Sequence, residues 1–243
     1  MSSIPAYNIC QNTRNLSVTE KLVTDLEAIR DSIAEGKYKA GTWQQMLTDL
    51  IAQDRATRRA LKSVISNVSD GLHRRHGYRR FDFMPAYLIE LSLIATAILL
   101  SSASSLSLRL LATFLFAVTL QPALKVTAGL VLGVRYSYAY LWYFEPRFKM
   151  KYGDYLACPT RRRLIFQFAG SAGTPVAMAI GMILLQDSFY LFWLCTAGLV
   201  AFSLMQLIAF VADVLGVRRI GPMALRHMTT PALLGFELRQ AFS

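Results

Sequence analysis

The sequence predicts an all-α polytopic membrane protein, with about four transmembrane helices behind an N-terminal cytosolic helical hairpin. Three observations carry this expectation. The first is composition: 54% of the 243 residues are hydrophobic and the mean hydropathy is +0.36. The second is distribution. The apolar residues concentrate in four runs, Pro85–Ser101, Leu108–Leu132, Leu164–Leu185 and Phe189–Leu215. Each is roughly 17–27 residues, enough at about 1.5 Å per residue to cross a hydrocarbon layer of about 30 Å. A helix satisfies its own backbone in lipid, and the runs lack the alternation of barrel strands.

The third observation is where the charge sits. The formal net charge is +11 and the pI about 9.8. Arg74, Arg75, Arg79 and Arg80 precede the first run; Arg135, Arg147, Lys149, Lys151 and Arg161, Arg162 and Arg163 separate the second and third; Arg218, Arg219 and Arg226 follow the fourth. The other two connections are short: Ser102–Ser107 is uncharged and Gln186–Ser188 carries only Asp187. The positive-inside rule then predicts a multi-pass protein of the cell inner membrane or its equivalent, both termini cytoplasmic. Because topology accounts for the cations, nucleic acid is not an expected partner. Met1–Ser17 has no apolar core, so no cleavable signal peptide is expected. Cys10, Cys158 and Cys195 are odd in number and widely spaced, which predicts no disulfide framework.

The expected domains are a cytosolic amphipathic helical segment over 1–82, a transmembrane domain over 83–219 and a C-terminal cytosolic tail over 220–243. In the first segment, Ser17-Val18-Thr19-Glu20 fits a capping box, Leu22, Leu26, Ile29 and Ile33 recur at helical spacing, and Gly36 can end the helix. Thr42–Gln45 is a second capping-box pattern, followed by an amphipathic stretch from Met46 to Val68 that Asp70-Gly71 is expected to stop. Two such helices bury little by themselves and need a surface to dock on. His73-Arg74-Arg75-His76 is a poor metal site, having no nearby acid or thiol cluster. Arg74, Arg75, Arg79 and Arg80 read instead as a juxtamembrane belt for anionic headgroups. The loop at 135–163 is basic and aromatic, which suits a membrane-surface excursion; its Tyr136–Tyr140 alternation predicts an edge strand, and lipid or pigment contact is the functional alternative.

Inside the spans, Glu90 and Lys125 are ionisable and are expected to neutralise each other at a shared depth. Gly170, Gly173, Ala177 and Gly181 form a small-residue face for close helix packing. Pro122 and Pro175 are expected to kink their helices.

The stretch Thr119-Leu120-Gln121-Pro122-Ala123-Leu124-Lys125, continuing to Leu132-Gly133-Val134 and followed later by Ala169-Gly170-Ser171-Ala172-Gly173-Thr174-Pro175, resembles the site-2-protease-like (M50-type) membrane metallopeptidases. That resemblance covers about 100 residues. In that family, a helix bearing His-Glu-x-x-His precedes a Leu-Gly-Val turn, an Ala-Gly-Pro-like helix follows, and a later helix supplies an Asp ligand. Laid on that pattern, Gln121 and Lys125 stand at the two histidines, Pro122 at the glutamate, and Asp213 near the Asp ligand. The resemblance therefore implies the family fold with a degenerate centre, since an ammonium opposes a cation and one carboxylate cannot hold zinc.

Only three histidines exist, none within a run, and there is no Gly-rich phosphate loop, Cys-x-x-Cys or Gly-x-Ser-x-Gly. No catalytic residue, metal or cofactor is expected. The sequence points to a non-catalytic membrane scaffold or accessory subunit, with membrane lipids and other membrane protein subunits as partners. Two alternatives stand beside it: an accessory subunit stabilising a bioenergetic or photosynthetic complex, and a lipid-modifying enzyme or small transporter.

Overall fold

The computed structural model describes residues 7–142, 145–214, 219–220 and 223–224, with side chains described over 18–141 and 146–212. In chain order the elements are α1 (Tyr7–Ala34), α2 (Thr42–Ala52), α3 (Arg55–Ala60), α4 (Lys62–Arg74), β1 (Arg80–Phe81), α5 (Phe83–Ser101), α6 (Leu106–Val131), β2 (Tyr136–Trp142), β3 (Glu145–Met150), α7 (Tyr152–Ala157), α8 (Thr160–Leu184), α9 (Phe189–Val214), β4 (Arg219–Ile220) and β5 (Met223–Ala224). They fall into two compact units. One is the chain up to Gly77 together with Lys151–Ala157; the other is Tyr78–Met150 and everything from Cys158 onward.

In the first unit, Leu22, Leu26 and Ile29 make the buried stripe of α1, against which α4 and α2 pack through Ile65, Val68, Leu47 and Leu50. Four local expectations fail here for physical reasons. The helix begins at Tyr7, not Ser17, because no Gly or Pro lies between Tyr7 and Leu16 to stop it propagating backwards past the capping-box pattern. Thr42 is the first helical residue rather than the cap. Its hydroxyl donates to the Lys39 carbonyl (3.1 Å), and Gly41, at φ 97°, occupies the cap position. The expected second helix is three. Asp54 breaks it by accepting from the Thr57 N–H (2.7 Å), an N-cap whose hydrogen bond holds the Asp54 carboxyl below its usual range. Gly71 does not stop α4, which runs on to Arg74; Gly71 stays helical with its Cα facing Ile33 of α1.

The sequence division assigned the whole 135–163 loop to the membrane domain, yet α7 from that loop belongs to the N-terminal unit. The Gly153 N–H donates to Ser66 Oγ (3.0 Å), and a Cβ on Gly153 would overlap the Lys62 carbonyl oxygen. Trp43 meets the Tyr152 ring at 6.1 Å, and Arg55 Nε donates to the Ala157 carbonyl (3.2 Å). The docking surface that two short amphipathic helices lacked is thus supplied by residues from far along the chain.

In the second unit, α5, α6, α8 and α9 are, among the described residues, the four helices long and apolar enough to span a membrane. They form a row: α6 and α8 are the central pair, α5 packs on α6, and α9 packs on α8. α6 continues through Pro122 and α8 through Pro175. At one end of the row sits an antiparallel sheet in the order β1-β2-β3, with Arg80 opposite Tyr140 and Tyr140 opposite Arg147. The Tyr136–Tyr140 segment is therefore the central strand, not an edge. Its second neighbour, β1, is two residues long and was hidden in the basic run before the first span. At the other end Arg109 Nη1 bonds Asp187 Oδ2 at 2.8 Å, tying the start of α6 to the α8–α9 connection. The fold is that of a mostly helical, polytopic membrane protein with a small sheet at one end of its spans.

Candidate functional site

The seam between α6 and α8 is where this chain concentrates its small and polar intramembrane residues. The two helices run antiparallel, and three glycines of α8 meet α6 at successive levels. A Cβ on Gly181 would lie 2.6 Å from Thr113 Cγ2; one on Gly173 would overlap the Gln121 Cα and lie 2.6 Å from its backbone nitrogen; one on Gly170 would lie 3.0 Å from Lys125 Cδ. Only at glycine can the helix axes approach this closely, so that packing and polar contacts replace the hydrophobic drive missing in lipid. Ala177, fully buried, belongs to the same face and packs with Ala97 of α5 and Phe116 of α6. The sequence-derived packing face of Gly170, Gly173, Ala177 and Gly181 is one continuous seam in the structure. Missed by the sequence was Gly129 on the α6 side. Its bare Cα admits the Tyr136 hydroxyl, which donates to the Lys125 carbonyl (3.0 Å). Burial pushes the Tyr136 pKa well up, and Tyr87 adds to the shift.

Two of the degenerate motif positions, Gln121 and Lys125, sit in this seam. Gln121 Oε1 accepts from Thr174 Oγ1 (3.0 Å), so the amide and hydroxyl bridge the helices. The Lys125 stem lies along Gly170, and its ammonium is 5.5 Å from the Phe166 ring centroid. Pro122 is half-buried within α6. Asp213 lies in α9, but its side chain is outside the described residues.

Glu90 is 2% exposed on the face of α5 that meets α6. The register is set by the Tyr87–Thr127 hydroxyl pair (2.7 Å) and by Ala97 packing with Phe116. Glu90 lies three residues beyond Tyr87 and Lys125 two before Thr127, so their depths agree to about 1.5 Å. On the far side, Gly198 faces Met178 Sδ, where a Cβ would stand 3.0 Å away. Eight residues along each of the antiparallel helices, that register sets Gln206 of α9 level with Gly170. One depth therefore holds Glu90, Lys125 and Gln206.

The basic belt divides between the units. Arg74 closes α4 and Arg75 stacks over the Tyr38 ring (5.5 Å) in the first unit. Arg79, over Phe81 (5.3 Å), and Arg80, over Tyr138 (5.8 Å), belong to the second. Of the three consecutive arginines before α8, Arg161 and Arg162 are exposed, whereas Arg163 is 0% exposed with Nη2 3.4 Å from Thr160 Oγ1. His73 and His76 stand ring to ring at 6.0 Å, and among the described residues no three His, Cys, Asp or Glu side chains gather.

These features define the class: a multi-pass membrane protein whose two central spans meet in a glycine-rich seam that holds Gln121, Lys125 and Thr174. Compared with known protein families, curated proteins and solved structures, the chain finds no match in any of the three.

Proposed function

We propose that this chain is a non-catalytic integral membrane scaffold or accessory subunit that works through helix–helix and lipid contacts. In this reading it resides in the inner membrane or its equivalent, with both termini cytoplasmic, and its partners are other membrane protein subunits and anionic headgroups. The α6–α8 half is then a degenerate relative of the site-2-protease-like fold. The observation that carries the reading is what Gln121 and Lys125 do. A metal ligand or general base must project into a space that substrate and water can enter. Gln121 instead presses its backbone on Gly173 and bridges to Thr174, and the Lys125 stem fills the place beside Gly170. Those positions hold two helices together.

The outer spans support the second half of the proposal. α5 packs mainly on α6 and α9 mainly on α8, and each presents bulky exposed side chains: Leu88, Ile89, Ile98 and Leu99 on α5, and Trp193, Leu194, Leu204 and Leu207 on α9. Such faces suit lipid and a partner's span alike.

Native purification in mild detergent, with mass spectrometry of all that accompanies the chain, tests the proposal. Larger membrane subunits at fixed stoichiometry are the expected result. A monodisperse chain without partners, combined with about one zinc per chain or a substrate-dependent thermal shift, would overturn it.

A further inference from the structure

We infer that one face of the β1–β2–β3 sheet is a binding site for anionic phospholipid headgroups, formed by Arg80, Arg147 and Lys149 around Tyr138 and Tyr140. The inference deepens the lipid-contact part of the proposed function and rests on it. Strand residues alternate between faces, and here the two faces differ in kind. On one, Ala139 is 3% exposed and its cross-strand partner Phe148 joins Phe83, Tyr87 and Tyr136 in an aromatic cluster at the start of α5. Ala139 and Phe148 are packed inward there, while Phe81, beside Ala139 on β1, is 38% exposed.

The other face gathers the cations. Arg80 and Arg147 are the cross-strand neighbours of Tyr140 on either side, and Lys149 is the neighbour of Tyr138. The Arg80 guanidinium lies over the Tyr138 ring at 5.8 Å, and Tyr78 stacks on Tyr140 at 5.3 Å. Three cations thus surround two phenols on a surface two or three residues wide. Guanidinium forks and phenolic hydroxyls are donors, and a phosphodiester offers acceptor oxygens and one negative charge. Asp82, exposed beside β1, opposes them with a single charge, and the Glu145 side chain is outside the described residues.

Position fixes the occupant as lipid. Asp82 alone separates β1 from α5, and only 132–135 separate α6 from β2. Four residues reach about 14 Å at most, so the sheet is held at the mouth of two spans, at headgroup level. Tyrosine and arginine both favour that zone. In the sequence the arginines before the first span and the basic aromatic loop at 135–163 are separate features; Arg147 and Lys149 lie 67 and 69 residues beyond Arg80, and only the strand register brings them together.

The test uses the purified full chain in mild detergent, titrated with phosphatidylglycerol or phosphatidylcholine and read by native mass spectrometry. The wild type should hold phosphatidylglycerol about tenfold or more over phosphatidylcholine. Each cation removed from the face should reduce that ratio about fivefold. Arg80→Gln with Arg147→Gln is the main variant, Lys149→Gln a milder second one, and Arg59→Gln with Lys62→Gln the control that removes equal charge elsewhere. Loss of selectivity in the sheet variants, with the control unchanged, supports the site. Equal loss in the control, no loss in the sheet variants, or no selectivity in the wild type overturns it, as does displacement of the lipid by millimolar inorganic phosphate. Because the readout is lipid alone, its failure leaves the co-purification of protein partners unaffected and is separable from failure of the scaffold reading.

Discussion

Exchanging the intramembrane charges tests the core of the spans most directly. Glu90 is 2% exposed, and the α5–α6 register sets it within about 1.5 Å of the depth of Lys125. The prediction is that the two are coupled. An uncompensated charge at such a depth costs about 2.5–3.5 kcal/mol on insertion scales, and removing one partner of a buried pair costs about 3–5 kcal/mol. The two single substitutions should not be equal. Glu90→Gln leaves the ammonium over the Phe166 ring, 5.5 Å from its centroid, a contact of about 1–2 kcal/mol when desolvated. Lys125→Met leaves the carboxylate without the proposed counter-charge, at the full cost of breaking the pair. Expected losses are about 2 kcal/mol for Glu90→Gln and about 3 kcal/mol for Lys125→Met, with the double variant within about 1 kcal/mol of wild type. At about 2–4 °C per kcal/mol for a chain of this size, Lys125→Met should melt about 6–12 °C lower in detergent. The assay is thermal unfolding of all four proteins in one detergent. Additive single effects would refute the coupling, because independent sites add and paired sites do not.

Four further outcomes follow from the packing. Gly173→Ala should destabilise by about 1–3 kcal/mol, since its methyl group would meet the Gln121 backbone rather than a mobile side chain; an unchanged melting temperature would show that α6 and α8 do not touch there. Gly153→Ala should release α7 from α4, read as faster proteolysis within Tyr152–Ala157, and protection equal to wild type would contradict that contact. Arg109→Ala and Asp187→Ala should each cost about 1 kcal/mol or less because Asp187 is 66% exposed, and a larger loss in low salt that disappears in 1 M salt would confirm the ion pair as its source. The Asp54 cap, whose carboxyl is held below its usual range, contributes stability above its unfolded-state pKa and loses it as the pH falls; Asp54→Ala should flatten that acid limb, and an identical pH profile in the variant would count against the cap.

The spans were legible because lipid leaves a chain few options. Length and apolarity located all four within a few residues. The soluble unit was less legible because its signals are local and its structure is not. Ser17–Glu20 has a capping pattern within a longer helix, while the working cap, Asp54, lies in a stretch whose apolar periodicity ran straight across it. No local signal marks α7 as part of that unit. What commits it is the fit of Gly153 against Lys62, a contact 91 residues apart in the chain. β1 escaped notice for a related reason: two residues cannot show a period of two, and only the partner strand makes them a strand.

The candidate site shows the same division between composition and pairing. That Gly170, Gly173 and Gly181 face a neighbour follows from small residues at helical spacing, since such spacing has few uses in lipid other than close approach. Which neighbour they face does not follow, and that identity changes what the polar residues mean. In the sequence, Gln121 and Lys125 are departures from a catalytic pattern, and Glu90 is an expected counter-charge to Lys125. In the structure, Gln121 bonds Thr174, the Lys125 stem fills the groove at Gly170, and Glu90, Lys125 and Gln206 share one depth across the row of spans. Gathering polar groups at one level leaves the remaining turns of every span free to meet lipid. A row held in this way is pinned in register at that depth. Sliding any helix by one residue would move a charge or an amide about 1.5 Å out of the layer and turn it about 100° toward lipid.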